Sequence, residues 1–191
     1  MNYFDDYRKL LNTALYTVDE FSVLKMEEQL TKLAKSGTPL LVCGNGGSAA
    51  ITEHLSCDHT KAIACDTNLN PFVIPLQSNV SLNTAIANDY RYEEVFSRQI
   101  RWWPKEFGLL VVSSSGNSSN IVNAVLEAKD KGAVTMAMVG FDGGKVKDLV
   151  DICVHVDSDN YGVVEDCHQI IMHSMAQSIR IEHQNHSNLK L

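Results

Sequence analysis

Two short stretches of this chain have the composition of anion-holding turns. Gly44-Asn-Gly-Gly-Ser48 sets three glycines around an asparagine, and backbone without Cβ atoms lets N–H groups approach a ligand closely. Ser113-Ser-Ser-Gly-Asn-Ser118 offers hydroxyls at four of six positions. A helix opening after either turn would add unpaired N–H groups and the positive end of its dipole, which favours a phosphate or a sugar. Ordinary strand-to-helix turns use the same residue types, so the weight comes from finding two in one small chain. Neither matches a common nucleotide fingerprint: the first lacks the Lys-Ser/Thr ending of a P-loop, and its glycines do not fit Gly-x-Gly-x-x-Gly.

A second group is titratable. His54 and Asp58 are four residues apart just after the glycine turn, so on a helix they share a face. Glu165 and His173 are eight apart in the last apolar segment, about 80° around a helix and roughly two turns along it. Two imidazoles and two carboxylates suit zinc or another borderline divalent metal. They suit a general acid–base set equally well. Taken pairwise they are also an ordinary solvated helix face, and spacing alone does not bring two helices together. His155 and His168 read as structural, Trp102-Trp103 as core or interface, and Lys61 as a solvent-facing lysine within reach of a phosphate.

These groups need a framework, and the apolar pattern supplies one. Short apolar runs at 39–43, 72–76, 108–112, 133–139 and 152–156 read as strands, with helical segments between them. Pro75 places the second strand at its end or on an edge. Residues 79–103 read as two helical pieces meeting near Asn88-Asp89, and 161–182 as one long helix. Alternating strands and helices imply a five-stranded parallel sheet covered on both faces, an α/β three-layer sandwich. Ahead of it, Leu11, Leu15, Val18, Phe21, Leu24, Leu30, Leu33 and Ala34 recur at helical spacing, with a break expected near Asp19 and Ser22. The expected organisation is one domain over 1–191: an N-terminal helical segment (1–37), the α/β core with the C-terminal helix (38–182) and a polar tail (183–191).

At 191 residues and 45% hydrophobic content, the chain has enough material for one core. A formal net charge of -7 lacks the basic footprint of a nucleic-acid binder. The five cysteines (Cys43, Cys57, Cys65, Cys153, Cys167) are odd in number and form no Cys-x-x-Cys pair, as expected of reduced thiols. No signal-peptide order and no membrane-length apolar run is present. The expectation is a soluble cytoplasmic protein with no membrane or nucleic-acid partner.

Gly44-Asn-Gly-Gly-Ser-Ala-Ala50, Ala85-Ile-Ala-Asn-Asp-Tyr90, Ser113 to Ser118, Gly140-Phe-Asp-Gly-Gly144 and the helix carrying His173 together resemble the phosphoheptose isomerases of the sugar-isomerase (SIS) fold. The likeness runs in order to about Ile181. It implies a flavodoxin-like SIS domain, a homotetramer with active sites between subunits, and isomerisation of sedoheptulose 7-phosphate to D-glycero-D-manno-heptose 7-phosphate for nucleotide-activated heptose synthesis. It implies a phosphate held by Ser113, Ser114, Ser115 and Ser118. Sugar contacts would come from Asn45, Gly46, Gly47, Ser48, Asn88, Asp89 and Glu165, and zinc ligands from His54, Asp58, Glu165 and His173. Asp58 and His173 are the expected acid–base pair.

The chain departs from the family pattern at the reacting end. Asp58 stands where the family has Glu, Glu165 where it has Gln, and Tyr161-Gly-Val-Val164 replaces Thr-Pro-Arg-Ile. The Arg expected after the first-loop helix is missing, with Lys61 close enough to substitute. Asp is shorter by one C–C bond, about 1.5 Å, and the extra carboxylate at Glu165 is expected to strengthen divalent-metal binding. Two rival readings stand beside this one: a non-catalytic phosphosugar-binding or adaptor relative, and an isomerase of another phosphosugar. Two histidines and two carboxylates favour an enzyme, because a scaffold needs no acid–base set.

Overall fold

The structure is a computed structural model and describes residues 2–184. α1 (Tyr3–Leu15) and α2 (Glu20–Ser36) precede β1 (Leu40–Gly44). α3 (Gly46–Cys57) runs through a π-helical turn (Asp58–Ala62) into α4 (Ile63–Asp66), followed by β2 (Val73–Pro75) and α5 (Val80–Asp89). A 3₁₀ turn (Tyr92–Glu94) leads into α6 (Val95–Trp102), then β3 (Gly108–Ser113), α7 (Ser119–Asp130) and β4 (Val134–Val139). α8 (Gly144–Leu149), β5 (Ile152–His155) and the long α9 (Tyr161–Glu182) complete the described chain. All five expected strands form, within one or two residues of the expected ends.

Alternate strand residues point to opposite faces, and here both directions are apolar. Leu40, Val42, Leu110, Val112, Met136 and Met138 enter one core with residues of α1–α4 and α9. Leu41, Cys43, Leu109, Val111, Ala137 and Val139 enter the other with residues of α5–α8. The sheet is wholly parallel in the order β2-β1-β3-β4-β5. The chain therefore reverses direction across the sheet between β1 and β3. Open α/β sheets bind ligands at that reversal, outside the carboxyl ends of the strands.

The N-terminal stripe divides. Leu30, Leu33 and Ala34 are buried, and Leu11, Leu15 and Val18 pack partly against the core, whereas Phe21 and Leu24 are exposed. The expected break falls at Asp19, whose carboxylate accepts from the N–H groups of Phe21 and Ser22 to start α2. Tyr7 of α1 donates to Asp166 of α9 at 2.8 Å. Pro75 ends β2, the edge strand. Trp103 packs against the second core while Trp102 is exposed. The five cysteines are free. Of the expected tail, Gln184 pairs with Thr67, and 185–191 lie outside the described residues. Among the described residues, no helix is long and apolar enough to cross a membrane.

Candidate active site

A helix start leaves unpaired N–H groups, and the residue ahead of it commonly satisfies some with its side chain. Asn2, Asp19, Asn79 and Asn160 do this for α1, α2, α5 and α9. The other two helices of ten or more residues, α3 and α7, follow good capping types, Asn45 and Ser118, and neither side chain caps. Both helices start at the carboxyl ends of strands, β1 and β3, on either side of the chain reversal. Two helix N-termini are thus left open at the place where a ligand is expected.

The Asn45 amide is engaged elsewhere. Its Oδ1 accepts from the Tyr92 hydroxyl at 2.9 Å and from Asn120 Nδ2 at 2.8 Å, and its Nδ2 donates to Asn120 Oδ1 at 2.9 Å. One Asn45 N–H remains for a ligand. Neither Tyr92 nor the buried Asn120 stood out in the sequence, since an aromatic in a short turn and an amide opening a helix carry no signal until the two helices meet. Asn88 donates to Asp89 at 2.9 Å, both exposed at the end of α5 and just ahead of Tyr92. Gly46 and Gly47 are exposed and Ser48 is buried.

The serine loop is held from behind by the turn Gly140–Gly144. Gly140 donates its N–H to the Ser114 carbonyl at 2.8 Å, and Val146 to that of Gly116 at 3.1 Å. The Lys145 N–H reaches Asn117 Oδ1 at 3.1 Å. Gly116 has φ +61, and a Cβ there would strike the Gly143 carbonyl, so this position demands glycine. The Ser113 hydroxyl accepts from the Gly116 N–H and the Ser115 hydroxyl from that of Asn117. Ser114 Oγ is buried and has no partner among the described residues, and a buried hydroxyl without one is costly.

Farther along α3 the side chains become titratable. Asp58 Oδ2 lies 3.5 Å from His54 Nε2 and 3.4 Å from His173 Nε2. The two imidazoles meet edge to face with ring centres 4.8 Å apart. α3 and α9 therefore converge, which spacing alone left undecided. His54, Asp58 and His173 present donor atoms within 4.8 Å of one another, close enough for one metal ion. Glu165 is outside this group. Its carboxylate lies against Gly47, where a Cβ would collide with it, and burial, then the neighbouring Asp166, raises its pKa. The four-residue set thus meets in three of its members, because Glu165 precedes His173 by two turns of α9. Gln169, overlooked in the sequence, reaches the cluster instead: its Nε2 is 3.0 Å from His54 Nδ1 and 3.0 Å from His173 Nε2.

Asp58 opens the π-helical turn, a local widening found frequently at functional positions. The turn buries the next residue, His59, whose pKa is pushed down to about 4 by that burial. His168 on α9 is likewise buried and held at about 4. His155 Nε2 meets the Phe141 carbonyl at 2.8 Å, a structural role, and Lys61 is exposed on the π turn.

A family model described as SIS domain matches residues 2–140, which include both loops, His54 and Asp58. A phosphoheptose isomerase of Helicobacter pylori (strain P12) is 35% identical over 183 residues, 95% of this chain and 94% of its own length. The chain belongs to the phosphoheptose isomerase family. A second relative, the phosphoheptose isomerase of Clostridium acetobutylicum, is 35% identical over 91% of this chain and 87% of its own. Among solved structures, the phosphoheptose isomerase GmhA of Neisseria gonorrhoeae superposes with a TM-score of 0.83 at 27% identity, over 93% of this chain and 94% of that one. The likeness to phosphoheptose isomerases extends past the SIS match into α9, the helix that carries Glu165, Gln169 and His173.

Proposed function

We propose that this chain is a phosphoheptose isomerase interconverting sedoheptulose 7-phosphate and D-glycero-D-manno-heptose 7-phosphate. The observation that carries the reading is the pair of uncapped helix N-termini at the chain reversal, with an acid–base cluster farther along the same helix. Gly46 and His54 are eight residues apart, about 12 Å along α3, a separation suited to an extended seven-carbon chain. In this reading Ser113, Ser114, Ser115 and Ser118 hold the phosphate with the N–H groups opening α7. Asn45, Gly46, Gly47, Ser48, Asn88 and Asp89 meet the sugar hydroxyls. Glu165, lying over Gly47, meets the chain between its two ends.

Ketose-to-aldose conversion removes a proton from C1 while O2 gains one; the enediol then takes a proton at C2 as O1 loses one. Asp58 and His173 stand 3.4 Å apart, near enough to pass a proton between the carbon and oxygen duties, and His54 fixes the carboxylate from the other side. Positioned acid–base groups of this kind contribute about 10²–10⁴ in rate. The donor chemistry of His54, Asp58 and His173 fits zinc or a similar divalent ion, which when bound would polarise the substrate carbonyl. The working enzyme in this reading is a cytoplasmic homotetramer, consistent with the apolar Phe4, Phe21, Leu24 and Ile181 exposed on one subunit.

Incubation with sedoheptulose 7-phosphate, followed by proton NMR, tests the reading. Anomeric signals of an aldoheptose phosphate should grow in with time. Their absence at near-stoichiometric enzyme, with the phosphosugar still bound, would leave a binding protein instead.

A further inference from the structure

The turn Gly140–Gly144, which backs the serine loop, contains the one non-glycine residue with a positive φ among the described residues, Phe141 at +51. A bulky side chain rarely adopts that backbone, because its Cβ crowds the neighbouring carbonyl. Such a conformation persists only where its surroundings over-determine it, and residues held this way cluster at functional sites. Three contacts hold Phe141. Its N–H donates to the Ser158 carbonyl at 2.9 Å. Its ring packs on Tyr161, the first residue of α9, with centres 4.7 Å apart. Its carbonyl accepts from His155 Nε2 at 2.8 Å.

The proton on that nitrogen is itself fixed. Lys147 Nζ lies 3.3 Å from His155 Nδ1, and an ammonium has protons to give and no lone pair to offer. Nδ1 therefore accepts, which leaves the ring proton on Nε2, facing the Phe141 carbonyl. The sheet places the ring: His155 ends β5 opposite Val139, the last residue of β4, so it stands beside the start of the turn. Lys147 also lies over Gly143, where a Cβ would collide with its stem. On its far side the turn meets the serine loop at close range. A Cβ at Gly144 would strike the Ser115 carbonyl, as one at Gly116 would strike that of Gly143. Neither segment can change shape alone.

We propose that His155 is a positioning residue for the phosphate site, oriented by Lys147 and acting through the strained Phe141 carbonyl. With that carbonyl held, Phe141 stays left-handed, and the turn and the start of α8 present the N–H groups of Gly140, Lys145 and Val146 to the serine loop. Without it the turn relaxes toward negative φ, the loop loses those donors, and its hydroxyls no longer converge. The inference rests on the reading of Ser113, Ser114, Ser115 and Ser118 as the phosphate holder and makes no use of the acid–base cluster.

The test is calorimetric binding of a heptitol 7-phosphate to the full chain, beside steady-state kinetics with sedoheptulose 7-phosphate. The heptitol carries the phosphate but no carbonyl to isomerise. His155→Leu is expected to weaken its binding by about tenfold, within the range such strain spans, and to raise KM with kcat little changed. His155→Gln keeps an N–H near the Nε2 position and should stay within about threefold of the parent. The deciding variant adds Phe141→Gly to His155→Leu. Glycine takes a φ near +50 without steric cost, so the pair should return to within about threefold of the parent. A general loss of packing would not be repaired by removing a second side chain. Failure of the double variant to recover overturns the proposal, as does unchanged affinity in His155→Leu. So does a parent chain that does not bind the heptitol phosphate. Should His155→Leu not fold, His155→Asn takes its place, with an amide that overlays Nδ1 and stops short of the carbonyl. This ranking without turnover of sedoheptulose 7-phosphate would remove the isomerase reading and leave the phosphate site, with His155 behind it, standing.

Discussion

A carboxylate set between two imidazoles at 3.4 and 3.5 Å can accept a proton from either ring and return it to the other. Replacing Asp58 by Asn keeps the shape and removes the basic oxygen, so kcat is expected to fall by about 10²–10⁴ with KM little changed. Steady-state kinetics decide it; a KM effect alone would make Asp58 a binding residue. The serine hydroxyls differ in kind, because in the proposed reading the phosphate they would hold is remote from C1 and C2. Ser115→Ala or Ser118→Ala is expected to raise KM more than it lowers kcat, since ground and transition states lose the same contact. A variant with unchanged KM and lost kcat would place that serine at the reacting end.

At the level of elements, the site exists because two helices share a cap that neither uses for itself. Asn45 is drawn off its own helix by Tyr92 and Asn120, and the N-termini of α3 and α7 are tied together in the process. Asn120 is buried, so Asn120→Leu should strand the Asn45 amide and cost about 1–3 kcal/mol in urea unfolding. Tyr92→Phe, at an exposed position, should cost less than about 1 kcal/mol. Equal and negligible losses for both would mean that the amide pair does not hold the helices. The turn Gly140–Gly144 plays the matching part for the serine loop, and Gly140 also leaves room for Val164, where a Cβ would collide. α9 thereby packs close to the end of β4.

Among the described residues the fold buries two histidines, His59 and His168, each held near pKa 4 by burial, against about 6.5 in an unfolded chain. Between these values the unfolded chain binds the extra protons. Stability is therefore fully present above about pH 6.5 and is lost as pH falls toward 4, by on the order of 3 kcal/mol per histidine at the limit. Urea unfolding at pH 7.5 and pH 5 should show the drop, and His168→Leu should reduce it; equal midpoints for the parent at both pH values would contradict the account. Phe4, Phe21 and Leu24 on the N-terminal helices and Ile170 and Ile181 on α9 are exposed, and the proposed assembly would cover them. Light scattering at micromolar concentration is expected to return a tetramer mass. A monomer would exclude both that cover and a site shared between subunits.

Much of this was legible in the residues themselves, for a local reason. Apolar runs such as Leu109 to Val112 mark buried parallel strands because both faces must be covered, and their order with the helices implied the sheet. The glycine and serine turns announce themselves through backbone and hydroxyl chemistry, and His54 with Asp58 through helical spacing. Spacing, however, sets only the angle of a side chain around its own helix. How far one helix slides along another is settled by packing between segments distant in sequence: Glu165 against Gly47, and Val164 over Gly140. That axial register brought Gln169 to His54 and His173, set Glu165 against Gly47, and joined Asn45 to Asn120 and Tyr92. It is decided only when the whole core closes.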